Sequence, residues 1–160
     1  MFKKLKTIYQ SEQLNPSLLG AFVNPFYFAK NELKKAVRKY AGHLGGKLLD
    51  VGCGQKPYRE FFKCDEYIGL EIDTPENRAG KRADFYYDGN VFPFESEKFN
   101  SLIANEVFEH VFNPEEFLSE SNRVLKPGGY FLITVPFVWD EHEQPYDFAR
   151  YSSLGLKFLL

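Results

Sequence analysis

The run Lys47-Leu48-Leu49-Asp50-Val51, followed at once by Gly52-Cys53-Gly54, constrains the fold more than any other stretch of the chain. A short apolar run that ends in a glycine turn suits a strand buried on both faces, the habit of parallel sheets. The two glycines permit a tight turn and let a ligand approach the backbone with no Cβ in the way. Similar apolar runs recur at 67–72, 83–87, 101–105 and 130–135, each expected to be a strand. Helical stretches are expected between them. One begins at Pro57, where a missing N–H costs nothing, and carries Tyr58, Phe61 and Phe62. A second is announced by Asn113-Pro114-Glu115-Glu116: Asn as N-cap, Pro in the first helical position, acids at the positive end of the dipole. Phe117, Leu118, Val124 and Leu125 give it a core stripe, and Lys126-Pro127-Gly128-Gly129 stops it. A last helix starts after an N-cap serine near Ser152. Strands alternating with helices imply an α/β, doubly wound, mostly parallel sheet with right-handed crossovers.

Residues 1–45 are expected to form an N-terminal helical segment, broken at Asn15-Pro16 and Asn24-Pro25, and residues 46–160 the ligand-binding domain. Phe26, Ala29, Leu33, Val37 and Tyr40 recur at helical spacing, with lysines and arginines mostly between them, which describes an amphipathic helix on a larger body. The 160 residues suit one domain. Aromatic residues are abundant, 17 Phe among them, and the plain explanation is that Phe fills core positions. A nucleic-acid surface would need basic residues interleaved with aromatics on one face, and a net charge of −2 argues against such a partner. No apolar run approaches a membrane span, and the basic start lacks the apolar stretch of a signal peptide, so no stable membrane insertion is expected. Cys53 and Cys64 form no CxxC pair, consistent with reduced thiols in a cytoplasmic protein.

Ligands of such sheets bind outside the carboxyl ends of the strands, near the point where strand order reverses. The expected ends present the Asp50–Gly54 stretch, Gly69-Leu70-Glu71, Asp88-Gly89 and Asn105-Glu106. Glu71 lies 19 residues after Gly52, near the roughly 20-residue offset at which an acid meets ribose hydroxyls. A dinucleotide fingerprint would need a third glycine where Pro57 stands, which disfavours a nicotinamide cofactor.

In series, these blocks resemble the class I S-adenosylmethionine-dependent methyltransferases, in particular their type 11 group. The likeness runs from Leu48-Leu49-Asp50-Val51-Gly52-Cys53-Gly54 through Tyr67-Ile68-Gly69-Leu70-Glu71 and Asp88-Gly89-Asn90-Val91-Phe92-Pro93-Phe94. It continues in Val107-Phe108-Glu109-His110-Val111 and Arg123-Val124-Leu125-Lys126-Pro127-Gly128-Gly129. The resemblance implies a Rossmann-like fold, S-adenosylmethionine as cofactor, and transfer of its methyl group to a small-molecule acceptor. It implies that Asp50 and the turn Gly52-Cys53-Gly54 line the methionine and ribose, and that Glu71 holds the ribose hydroxyls. Leu70 and Ile72 would flank the adenine, Asp88 and Gly89 would meet its edge, and Asn105 would lie beside the methionine. A domain that binds the cofactor without turnover is the alternative. Three departures stand out. Lys56 replaces a third glycine, Asn100 replaces an aspartate, and the sheet lacks the family's last strands, which would leave an edge near 130–135 open to a second copy of the chain.

The densest set of titratable groups is 139–151, which also resembles a segment of some type 11 members, His-Glu-x-Pro-Tyr-Asp-Phe-x-Arg-Tyr. His142 is the candidate base for a hydroxyl acceptor, Arg150 an anchor for an anionic substrate, and Tyr146 and Tyr151 pocket walls. Each has a structural alternative: Arg150 pairing with Asp147 or Glu143, and His142 capping a turn. No metal is expected. A two-histidine, one-carboxylate set from His110, His142 and Glu143 is the minor reading.

Overall fold

The computed structural model describes residues 26–80 and 83–160. The expected breaks at Asn15-Pro16 and Asn24-Pro25 and the basic start lie outside the described residues. The chain divides into two compact units: the described residues up to Gly42 with Pro57–Phe62, and His43–Lys56 with Lys63–Leu160.

In the first unit, α1 (Tyr27–Ala41) ends where the glycines begin. Its buried residues are Val37 and Ala41, so of the expected stripe only Val37 is fully enclosed, while Phe26 and Tyr40 remain exposed. The helix expected from Pro57 is a single 3-10 turn, Arg59–Phe61. Proline suits a helix start, but the Phe62 amide bonds back to Arg59 O and the chain then turns extended. Tyr58 stacks on Phe61, and Arg38 of α1 lies over the Phe61 ring at 4.6 Å.

The second unit is a sheet of five parallel strands, β1 (Lys47–Val51), β2 (Glu66–Ile72), β3 (Phe85–Tyr87), β4 (Phe99–Asn105) and β5 (Leu125–Thr134), in the order β3-β2-β1-β4-β5. Strand order reverses between β1 and β4, and β1 is buried along nearly its whole length, as its apolar run requires. Short α2 (Pro75–Gly80) joins β2 to β3, α3 (Pro114–Val124) joins β4 to β5, and α4 (Ser153–Leu159) closes the chain. This is the expected α/β parallel architecture, and β5 is an edge of the sheet. Among the described residues no helix is long and apolar enough to cross a membrane.

Phenylalanine does fill the core. Tyr87, Phe92, Phe117 and Phe108 meet in sequence at 5.2, 5.8 and 5.7 Å between ring centres, and Phe94 packs edge-on to Phe85 and Phe99. Edge-to-face contacts of this kind add to the area the rings bury.

Two local expectations fail for reasons the structure supplies. Asn113 precedes α3 but its amide donates to Glu116 Oε2 at 3.1 Å, and no side-chain cap forms. Lys126–Gly129 does not separate helix from strand: β5 already begins at Leu125, opposite Phe99, and those four residues bulge before Tyr130 pairs with Ser101. Gly128 at φ +76° makes the bulge possible. Ser152 caps α4 as expected, its Oγ accepting from Gly155 N at 3.0 Å.

Asn100, where an aspartate is usual, keeps a turn function: its Oδ1 accepts from Lys47 N at 3.1 Å and so ties β4 to the entry of β1. Arg123 does similar work for the loop before β4. Its guanidinium donates to Phe94 O at 2.8 Å and Phe92 O at 3.1 Å, while Glu120 accepts from it and from Phe92 N at 2.9 Å. That clamp inserts two phenyl rings into the core. Arg123→Ala should therefore lower stability by about 1–3 kcal/mol, since it leaves backbone carbonyls without donors. Arg123→Lys should recover little, because an ammonium lacks the fork. Denaturant midpoints of the three proteins test both statements.

Candidate functional site

The turn after β1 is held to both neighbouring strands. Gly52 N and Cys53 N donate to Leu70 O of β2 at 2.9 and 3.2 Å, and Gly52 adopts φ +66°, a conformation that disfavours side chains. A Cβ on Gly52 would collide with the γ-methyl groups of Val107, just beyond β4. Gly54, at φ +47°, faces open space and donates its amide to Glu71 Oε2 at 3.0 Å. Ile72 N donates to the other carboxylate oxygen at 3.2 Å. Each carboxylate oxygen keeps further lone-pair capacity for a ligand hydroxyl.

Lys56 occupies the place of a third glycine and adopts a positive φ of 55°, so it takes the backbone shape without the residue suited to it. Its ammonium lies 2.6 Å from Asp84 Oδ2, which also accepts from Gly69 N at 2.6 Å. Gly69 leaves room for this arrangement: a Cβ there would stand 2.7 Å from Cys53 Sγ and would strike the Lys56 side chain. Asp84 was missed by reasoning from strand ends, because it precedes β3 and acts through the lysine.

Asp50 is buried in the middle of the sheet and accepts from Tyr67 OH at 2.5 Å. Burial pushes its carboxyl up to about 7, the tyrosine hydrogen bond opposing the rise. Cys53 is buried too, and burial pushes its thiol up to about 12, leaving it neutral and unreactive. Ile72 is exposed at the end of β2. Asp88 accepts from Asn90 N and Val91 N at 2.9 and 3.3 Å, which holds its carboxyl below the usual range, and Gly89 adopts φ +94° with open space where a Cβ would be. Asn105 ends β4, and its Oδ1 is buried without a partner. The open glycines, the acids on β2 and before Gly89, and this orphaned acceptor suit a ligand carrying hydroxyls and positive charge, as S-adenosylmethionine does.

A second assembly forms where 139–151 packs on the 3-10 turn Phe108–His110. Phe148 N and Ala149 N donate to Glu109 O at 2.9 and 3.2 Å, Tyr151 lies 4.8 Å from Phe108 between ring centres, and Phe148 meets Phe112 at 5.3 Å. His142 and His110 meet edge-to-face at 4.8 Å. Nδ1 of His142 lies 3.2 Å from both Asp140 O and Asp147 Oδ2, His142 N donates to the same Asp147 oxygen at 2.9 Å, and Nδ1 of His110 lies 2.8 Å from Tyr146 O.

Arg150 is tied to its own segment, as the structural alternative expects. Its two terminal nitrogens bind both oxygens of Asp147 at 2.5 and 2.7 Å and reach the carbonyls of Ala149, Trp139 and Asp140. Its terminal nitrogens thus orient Asp147, whose carboxyl they hold far below the usual carboxylate range, while Nε is buried without a partner. Tyr146 has an exposed ring, and its carbonyl is what meets His110. The group that residue-by-residue reading missed is Glu109. It is wholly buried, neither carboxylate oxygen has a hydrogen-bond partner in another residue, and burial pushes its carboxyl up to about 7. An acid flanked by Phe108, His110 and Val111 was the available signal.

A depression lined by His43, Asn100, Ser101 and Lys126 lies at the opposite, amino-terminal end of the strands and shares none of these groups.

Comparison with known proteins identifies the family and the fold. The family model described as "Methyltransferase domain" matches residues 49–133, more than half of the chain. A "Probable S-adenosylmethionine-dependent methyltransferase" of Mycolicibacterium smegmatis is 28% identical over 120 residues, 69% of this chain and 46% of the relative. An "Uncharacterized methyltransferase" of Mycolicibacterium vanbaalenii is 28% identical over 146 residues, 85% of this chain and 56% of the relative. The chain spans about half the length of these curated relatives. The crystal structure of a SAM-dependent methyltransferase from Aquifex aeolicus superposes with a TM-score of 0.56 at 21% identity, covering 79% of this chain and 76% of that one, and so shares the fold.

The buried Asp50 predicts a pH effect of definite sign. Its folded value of about 7 lies above the roughly 3.9 of an unfolded aspartate. The native state therefore keeps a proton that the unfolded chain releases, and stability falls as pH rises from about 4 toward 7. Asp50→Asn should lose less stability over that window than the parent, as read from denaturant midpoints at several pH values.

Proposed function

The chain belongs to the methyltransferase domain family, and on that premise we propose that it binds S-adenosylmethionine at the carboxyl end of the sheet and passes the methyl group to a small-molecule acceptor. The single observation that carries the reading is the bond between Gly54 N and Glu71, which unites the glycine turn with an acid at the end of the neighbouring strand. A pyrophosphate would ask for free amides and cations there. Instead the turn's amide is spent on a carboxylate, and the charged side chains near it are mostly acidic.

When bound, the cofactor supplies a methyl group activated by positively charged sulfur. Glu71 accepts from the ribose hydroxyls, and Asp88 with Gly89 serves the adenine edge. Asn105, whose side-chain oxygen is buried without a partner, offers an acceptor near the cationic methionine end. Displacement at carbon depends chiefly on holding donor and acceptor in line, and the 139–151 segment forms the acceptor side. There Arg150 orients Asp147, and Asp147 orients His142. His142 is the residue through which a hydroxyl acceptor would give up its proton.

Calorimetric titration with S-adenosylmethionine, S-adenosylhomocysteine and NAD tests the cofactor. The first two should bind and NAD should not. Glu71→Ala should weaken S-adenosylmethionine by about 1.5–3 kcal/mol, the range for hydrogen bonds to a charged group. Unchanged affinity in a folded variant would sink the assignment of Glu71. His142→Ala should leave cofactor affinity intact and reduce turnover, whereas loss of cofactor affinity would remove His142 from the acceptor side.

A further inference from the structure

Three groups at the junction of the 139–151 segment and the Phe108–His110 turn have no collective role in cofactor binding. Glu109, His110 and His142 each offer one ligand atom, and these atoms lie within 4.8 Å of one another. We propose that they form a binding site for a divalent transition-metal ion of the class that accepts imidazole nitrogen and carboxylate oxygen together, such as zinc, cobalt or manganese.

The first support is an unsatisfied carboxyl group. Glu109 is wholly buried, its oxygens have no hydrogen-bond partner in another residue, and the nearest cationic candidate is His110 Nε2 at 3.8 Å. Buried carboxylates are ordinarily paired or bound to metal. The second is independent and concerns the imidazoles. Ligating histidines almost always give their other ring nitrogen to a carbonyl or carboxylate, which fixes ring orientation and tautomer. Both rings do so here: Nδ1 of His110 faces Tyr146 O at 2.8 Å, and Nδ1 of His142 faces Asp140 O at 3.2 Å with Asp147 Oδ2 also at 3.2 Å. Nε2 of each ring is left for an ion. Asp147 is in turn held by both terminal nitrogens of Arg150, so the outer sphere extends to a third layer.

Glu143, the carboxylate named for such a set in the minor reading of the sequence, is exposed and lies 3.9 Å from His110. Glu109 replaces it because the 3-10 turn, rather than the loop, buries an acid at the histidines. Two atoms each about 2.1 Å from zinc can be at most about 4.2 Å apart. Loading therefore draws the widest pair together by more than about half an ångström, a movement that rotation of partly exposed imidazoles supplies. Three protein ligands leave a coordination position open, as at catalytic rather than structural ions. An acceptor hydroxyl or water bound there would be acidified, and His142 would then serve the acceptor as a ligand. That last role rests on the methyltransferase reading; the ion site does not.

The test uses the tag-free chain after chelator treatment, titrated with zinc by calorimetry and with cobalt by visible absorption. About one equivalent of zinc should bind, and cobalt should give ligand-field bands. His110→Ala and the near-isosteric Glu109→Gln should abolish saturable binding, each checked for folding by circular dichroism. Asp147→Asn should weaken zinc by roughly 10–100-fold, the usual cost of losing an outer-sphere partner. His43→Ala, which changes the one histidine outside the cluster, should leave binding unchanged. Absence of saturable zinc binding, or binding that survives Glu109→Gln in a folded protein, overturns the site and leaves Glu109 as a buried neutral acid. S-adenosylmethionine titrated into the same samples keeps the two readings apart. Cofactor binding without zinc sinks only the ion site, and zinc binding without cofactor sinks only the methyltransferase reading.

Discussion

Close approach of backbone at the end of β1 is the constraint on which the carboxyl face of the sheet depends. Gly52 turns the chain with a positive φ, Val107 occupies the space a side chain would need, and Leu70 O takes the amides of Gly52 and Cys53. Through those three contacts β1 is locked to β2 on one side and to the exit of β4 on the other. The next amide in the turn with a side-chain partner, Gly54 N, then falls on Glu71. The Glu71 carboxylate is thereby held by the turn at one oxygen and by Ile72 N at the other.

On the far side of β4 the same exit segment takes a different task. Phe108 enters the core, and the following Glu109 is buried with it, its carbonyl receiving two amides from the 139–151 segment. Backbone docking carries His142 to His110, and Arg150 with Asp147 fixes the imidazole from behind. The two terminal nitrogens of Arg150 are directed at Asp147 and at carbonyls of its own 139–151 segment, while its Nε is buried without a partner.

Much of the fold was legible. Lys47–Val51 is a strand buried beyond Lys47 because Leu48, Leu49 and Val51 avoid water, and the later strands and the helix at Pro114 follow from periodicity and from Pro and acidic residues at the helix start. Failures occurred where local chemistry had two outlets. Pro57 permits a helix but cannot propagate one, Asn113 found Glu116 instead of a backbone amide, and Pro127-Gly128-Gly129 serves a bulge within β5 as readily as a helix stop. In each case the residues restrict the backbone without selecting among the shapes that remain.

By itself the sequence determined the alternation of strand and helix, the parallel sheet, and the acids and glycines at the strand ends. Those properties depend on spacing along the chain and on which residues avoid water. Tertiary structure alone decided which carboxylate stands beside the histidines, what Arg150 binds, and that Lys56 reaches Asp84 across 28 residues. Such pairings depend on distances between segments remote in sequence and on burial that no single segment creates. Glu109 and Glu143 are both acids close to a histidine in sequence. Only packing of the 139–151 segment on the turn after β4 made one of them an interior carboxyl and left the other in water.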